Sequence, residues 1–278
     1  MGKVINLVKE ELISDVRRDY ILRLLENDKR IDGRRLDEGR DVEIEVGVIR
    51  KAEGSAKVKL GDTQVLVGVK LEIGEPFPDS PNRGVLTTST ELLPVASPVF
   101  EPGPPNEDAI ELARVIDRGI RSSEAVDLES LCIIEGEKVW VLFIDIHVLD
   151  DDGNIMDASS IASIAALYDT KVPKTLVENG KVEILDEYEP LAVRKTPISV
   201  TIAKVGNKLV LDPNHEEELV MDSRITVTLS EENEVCSIQK GGSGTISERD
   251  VLESLEIARN RFKEVKEAIS EVISRRGD

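Results

Sequence analysis

"GSAKVKLGDTQVLVGVKLEIG", residues Gly54 to Gly74, is the stretch that sets the architecture. Apolar side chains recur at every second position through Ala56, Val58 and Leu60, and again through Val65, Val67, Val69 and Leu71. That period of two marks half-buried strands, and the Gly61-Asp62-Thr63 interruption between the runs predicts a tight hairpin. Upstream, "DVEIEVGVIR" (Asp41 to Arg50) reads as a further strand, and downstream "VLTTSTELLP" (Val85 to Pro94) is strand-like. The segments that flank the latter, "EPFPDSPNRG" and "SPVFEPGPPNED", hold most of the prolines and read as long loops, a length that tends to carry function.

Periodicity changes further along. A helix is expected over Asp108 to Ser122, then two buried strands in "CIIEGEKVWVLFIDIHVLD", then a small-residue helix, "ASSIASIAALYD", able to pack closely on a sheet. "TKVPKTLVENGKVEI" reads as a connecting region. The same outline returns in "ISVTIAKVGNKLVLD" and "RITVTLSEENEVCSIQ", followed by a Gly-rich joint, "KGGSG", and a long helix from Ser247, where Asp250 supplies a variant capping box. At the N-terminus Ile5, Val8, Leu12, Ile13, Val16, Tyr20 and Leu24 recur at helical steps and predict an amphipathic docking helix. The expectation is an α+β fold: two similar β-α halves around a shared core, with N- and C-terminal helices. Its divisions are a docking helix in residues 1–30, a first half in 31–180 and a second half in 181–278, forming one compact unit.

The chain has 278 residues, 40% of them hydrophobic but only 3% aromatic, so the core must be built from Val, Ile, Leu and Ala. A formal charge of -19 argues against indiscriminate polyanion binding, and any nucleic-acid contact must be a local basic patch. Charges scattered through the first twenty residues leave no apolar run resembling a signal peptide or a membrane span, which predicts a cytoplasmic protein with no membrane contact. Cys132 and Cys236 lack a CxxC partner and read as buried free thiols.

Two segments stand out as candidate sites. In the helix "NEDAIELARVIDRGIRSS", Arg114, Arg118 and Arg121 fall within an arc of roughly 60°, opposite Leu112, Ile116, Gly119 and Ile120. They form either a solvated face, with Glu111 pairing Arg114 and Asp117 pairing Arg121, or a phosphate ladder suited to arginine's bidentate fork. In "LDPNHEEELVMDSRITVTL" (Leu211 to Leu229) the carboxylates crowd together, but no hard-cation spacing is present; a solvated acidic turn is the default, and no metal or cofactor is expected. "GGSG" lacks the lysine and spacing of a P-loop, and "DDDGN" (Asp150 to Asn154) reads as a turn acidic enough to repel phosphate.

Taken together, "KRIDGRR", "GSAKVKLGDTQVLVGVKLEIG", "PVFEPGPPNEDAIELARVIDRGIR" and "DASSIASIAALYDTKVP" resemble the RNase PH family, and within it the non-catalytic RNase PH-like subunits of the archaeal exosome. The resemblance implies the paired β-α fold and 3′-to-5′ RNA degradation with inorganic phosphate as nucleophile. It also implies which parts are lost. Gly153-Asn154-Ile155 stands where active members carry Gly-Ser-Arg, so the phosphate-holding side chains are missing at Asn154 and Ile155. Glu218 and Arg224 occupy the positions of two catalytic aspartates, and "FEPGPP" has none of the arginines found before the second helix. A chain of this kind, as the resemblance has it, is inactive alone. It alternates with a catalytic RNase PH-like partner in a six-membered ring, a trimer of heterodimers, under cap subunits with S1/KH-type domains. It lends the second-helix arginines, Arg114, Arg118 and less securely matched Arg121, to single-stranded RNA.

Overall fold

The structure, a computed structural model, describes residues 17–231 and 234–275. Six strands form the first sheet: β1 (Val42–Val46), β2 (Gly54–Leu60), β3 (Thr63–Gly74), β4 (Val85–Leu92), β5 (Cys132–Ile134) and β6 (Lys138–Asp150). Their order is β1-β2-β3-β6-β4, with β5 paired to β6. Leu60 faces Thr63 across the β2–β3 turn, and Gly61 takes the left-handed conformation, φ +58°, that a two-residue loop needs. Val58, Val65, Val67 and Val69 are all fully buried, as the alternation predicts. β4 runs parallel to β6, which demands a crossover, and helix α2 (Glu107–Ser122) supplies it. Asn106 caps α2 by accepting from the Ala109 amide, so the helix begins one residue before the expected Asp108.

Helix α3 (Ile155–Asp169) is apolar or small on every side and buried along most of its length, packing against β2 and β3 of the first sheet and on β9 of the second. A helix without a polar face must be interior. The second sheet has the order β10-β9-β11-β12, built from β9 (Ile198–Val205), β10 (Lys208–Leu211), β11 (Ser223–Leu229) and β12 (Val235–Gly241). Helix α5 (Glu248–Ser274) closes the far side through Ala258, Phe262, Val265 and Ile269, and its Ser247–Asp250 capping box forms as expected. One hydrophobic cluster runs through both sheets and α3. The fold is α+β.

Several expectations need correction. "TKVPKTLVENGKVEI" is not a plain connector but most of an antiparallel hairpin, β7 (Lys171–Glu178) and β8 (Lys181–Pro190), which spans residue 180. Its turn is Asn179-Gly180 with both residues at positive φ, the strongest short hairpin signal a sequence can carry. The N-terminal helix, α1, is described over residues 17–26; the expected positions Ile5, Val8, Leu12, Ile13 and Val16 lie outside the described residues. Within it Ile21 and Leu25 are buried against Val205, Val210 and Val220, whereas Tyr20 is 55% exposed. The docking face is therefore rotated by one residue from the predicted stripe. Cys132 and Cys236 are free but only half-buried. Among the described residues no helix is long and apolar enough to cross a membrane.

Candidate nucleic-acid interface and the cleft beside it

The acidic stretch is not a solvated turn. Asp212 and Glu217 are buried, and each is matched by an arginine from the segment between α1 and β1. Arg30 donates through Nε and Nη2 to the two Glu217 oxygens at 2.8 and 2.6 Å. Arg40 forks onto Asp212, with Nε to Oδ2 at 2.9 Å and Nη2 to Oδ1 at 2.7 Å. Glu217 also closes a capping box with Asn214 on the short helix α4 (His215–Glu218). Asp222 accepts from Arg18 at 2.7 Å and from the Gly206 amide at 2.7 Å. Burial alone would raise the Asp212 pKa, but Arg40 and Asn154 overcome it and hold Asp212 at about 2. These carboxylates tie the N-terminal segment to the second half.

The "DDDGN" turn abuts this network. Gly153 sits at φ +82°, and a Cβ there would stand 2.5 Å from the Asn214 carbonyl carbon, so only glycine lets the two turns meet. Asn154, also left-handed at φ 55°, is buried and caps α3. Its Nδ2 donates to Asp157 Oδ2 at 2.8 Å and to Asp212 Oδ1 at 2.6 Å, bridging α3 to the acidic turn. Asp157 further accepts from the Thr201 amide and hydroxyl, at 2.9 and 2.7 Å, and burial pushes its carboxyl up to about 7.

Asn154, Ile155, Glu218 and Arg224 line one cleft of about 170 Å³, together with Asp108, Glu111 and Asp151. Glu218 Oε1 accepts from the Asn154 amide at 2.9 Å, and burial pushes this carboxyl up to about 7, helped by the Asp151 charge. Arg224 is the single cation among the described residues lining the cleft, and its Nη2 is committed to Glu111 at 2.9 Å. An anion entering here would meet carboxylates and an apolar Ile155.

The three α2 arginines are exposed, but they do not share one surface hollow. Arg114 and Arg118 flank a hollow with Glu107, Ile110, Glu111 and Gln239. Arg114 makes no ion pair with a described residue, while Arg118 Nη2 donates to Gln239 Oε1 at 2.9 Å. Arg121 lies at another recess, beside Phe77 and Arg83. It pairs with Asp117 at 2.7 Å, as the spacing predicts, and also donates to the Leu86 carbonyl. The expected Glu111–Arg114 pair does not form, because Glu111 turns to Arg224 and to Gln239 Nε2, the latter at 3.0 Å. Gln239 was not singled out from sequence. The register Thr226↔Gln239 beside Arg224↔Gly241 places it under α2, and that register is a product of the folded sheet.

The fold and the site define the class. Residues 38–173 match the model of the 3′ exoribonuclease family, domain 1, and residues 195–261 match domain 2. The chain belongs to this RNase PH family. It is 56% identical over 267 residues to the exosome complex component Rrp42 of Thermococcus kodakarensis, covering 95% of this chain and 98% of that protein. Its identity to Rrp42 of Methanopyrus kandleri is 53% over 260 residues, 93% of this chain and 97% of the relative. Among solved structures it superposes on a chain of the Archaeoglobus fulgidus exosome with RNA bound to the active site, at 53% identity and a TM-score of 0.85, covering 92% of this chain and 98% of that one. A chain of an archaeal exosome core gives a TM-score of 0.83 at 49% identity, with 94% and 99% coverage. Rice Rrp46, at 16% identity and a TM-score of 0.68, shares the fold.

Proposed function

We propose that this chain is a non-catalytic core subunit of an archaeal-type exosome, a 3′-to-5′ phosphorolytic exoribonuclease complex. One observation carries the reading: the cleft that collects Asn154, Ile155, Glu218 and Arg224 holds a single positive charge, and Glu111 already neutralises it. Phosphorolysis needs an anionic nucleophile bound beside an anionic backbone, so a cleft lined by Asp108, Asp151, Glu111 and Glu218 opposes both. The chain then acts by structuring the active site of a catalytic RNase PH-like partner. Alternation of the two in a hexameric ring, under cap subunits with S1/KH-type domains and in the cytoplasm, completes the assembly.

The second part of the proposal is that Arg114, Arg118 and Arg121 contribute to the path of single-stranded RNA. Exposed guanidiniums on one helix face suit phosphate contacts, which carry no sequence information and so fit a general degrader. Copies around a ring multiply a weak contact, which makes a chain of net charge -19 compatible with RNA handling. The test is phosphate-dependent shortening of a labelled single-stranded RNA by the purified chain, by the catalytic partner, and by the two mixed. The chain alone is expected to be inert and the mixture active; phosphorolysis by the isolated chain overturns the proposal.

A further inference from the structure

Arg224 stands where the family resemblance implies a carboxylate, and its guanidinium is not confined to the cleft. It begins a relay that ends on the arginine face of α2. Arg224 Nη2 donates to Glu111 Oε2 at 2.9 Å, Gln239 Nε2 donates to Glu111 Oε1 at 3.0 Å, and Arg118 Nη2 donates to Gln239 Oε1 at 2.9 Å. The amide of Gln239 is polar in both directions, so Glu111 on its nitrogen side fixes which side is left for Arg118. Room for the first link is built in. Gly241 lies opposite Arg224 in the β11–β12 ladder, and a Cβ on it would stand 2.8 Å from Arg224 Nε.

Helix geometry supplies the other half of the argument. Glu111 precedes Arg114 by three residues, a spacing at which an acid and a base on a helix attract each other. In the structure that pair is absent, and Glu111 is held by Arg224 from β11 instead. Arg114 is thereby left without an ionic partner among the described residues. We infer that Arg224 is a positioning residue for the RNA face: it holds Glu111 away from Arg114 and, through Gln239, fixes Arg118. This rests on the arginine-face reading above. The base that replaces a catalytic acid has a role of its own, keeping two neighbouring cations available to phosphate.

The test is binding of a fluorescein-labelled single-stranded oligoadenylate to the complex assembled with its catalytic partner, in phosphate-free buffer over a range of KCl. Arg224→Met keeps the apolar stem and deletes the charge, and Arg224→Gln is a second neutral variant; size-exclusion chromatography verifies that each assembles. Either is expected to weaken binding by about tenfold and to lower the salt slope by about 0.7 for each arginine that Glu111 recaptures. Adding Glu111→Ala removes the competing carboxylate and is expected to restore Arg114, recovering most of the affinity and slope; a merely structural role for Arg224 would not be rescued this way. Wild-type affinity and slope in both neutral variants, or a double variant no better than the single one, overturns the inference. Arg114→Glu with Arg118→Glu separates the two levels: no effect of that pair sinks the arginine-face reading itself, whereas a large effect there with none at Arg224 sinks the relay alone.

Discussion

The guanidinium of Arg30 and the carboxylate of Glu217 meet through two hydrogen bonds, 2.8 and 2.6 Å, with both side chains at 0% exposure. They are 187 residues apart in sequence. Arg30 also donates to the carbonyls of Leu211 and Asp212, at 2.9 Å each, so the pair fastens the segment after α1 to the end of β10. Deleting one partner leaves a buried charge unmatched. Glu217→Ala is expected to lower the unfolding free energy by about 3–5 kcal/mol, read from the midpoint of a denaturant curve. A loss under 1 kcal/mol would mean that water reaches Arg30.

Asn154 is expected to be less replaceable than a surface cap. Asn154→Ala strips hydrogen bonds from Asp157 and Asp212 together, brings their charges into direct opposition, and forces a left-handed backbone on alanine. Each orphaned buried group costs about 1–3 kcal/mol. Asn154→Gly relieves the backbone but not the carboxylates, so it should recover only part of the loss. Wild-type thermal stability in Asn154→Gly would show that the conformational cost, not the bridge, dominates.

Glu218 predicts a pH dependence of defined sign. Its folded pKa, about 7, lies above the ordinary 4.5, so the folded chain holds this proton more tightly than the unfolded chain. Stability should therefore fall as pH rises from about 4.5 through 7. Glu218→Gln keeps an acceptor for the Asn154 amide and removes the titration; its stability is expected to be flatter across that window and higher than wild type at pH 8. Asp212 has the opposite sign, since its pKa is lowered to about 2 from 3.8, and its contribution is lost as pH falls through that lower range. Parallel pH profiles for wild type and Glu218→Gln would contradict the assignment.

The α2 arginines should not behave alike toward RNA. Arg114 is exposed without an ionic partner among the described residues, whereas Arg121 is tied to Asp117 and to the Leu86 carbonyl. In the assembled complex, Arg114→Ala is expected to lower the salt slope of RNA binding by about 0.7. Arg121→Ala should change the slope less and register more in melting temperature. A larger slope change at Arg121 than at Arg114 would reverse the order of their roles.

Much of the fold was legible because local pattern and tertiary role agree. The alternation through Val65, Val67 and Val69, the glycine at 61 and the helical spacing of Leu112, Ile116 and Ile120 all survive in the structure. The β7–β8 hairpin was legible too, in Asn179-Gly180, but its β-branched and charged strands lack a buried face to give them a clean period. The docking helix was visible while its face was not, because Tyr20 and Ile21 can each pack on an apolar surface and only contact with Val205 and Val220 selects between them.

The sequence by itself determined most of the strand and helix order, the arginine spacing on α2, and the identities of Asn154, Ile155, Glu218 and Arg224, which the family resemblance reads as altered positions. Beyond local pairs such as Asp117–Arg121, tertiary structure decided what the charges do. "LDPNHEEEL" reads locally as a solvated turn, yet Asp212 and Glu217 are buried by Arg40 and Arg30 from far along the chain. Glu111 passes over Arg114, three residues away, for Arg224 and Gln239 on the second sheet. Periodicity is a property of neighbours in sequence and survives in one dimension. Charge pairing is chosen by distance and desolvation in three dimensions, so the partners exist only once the two sheets have closed on α3.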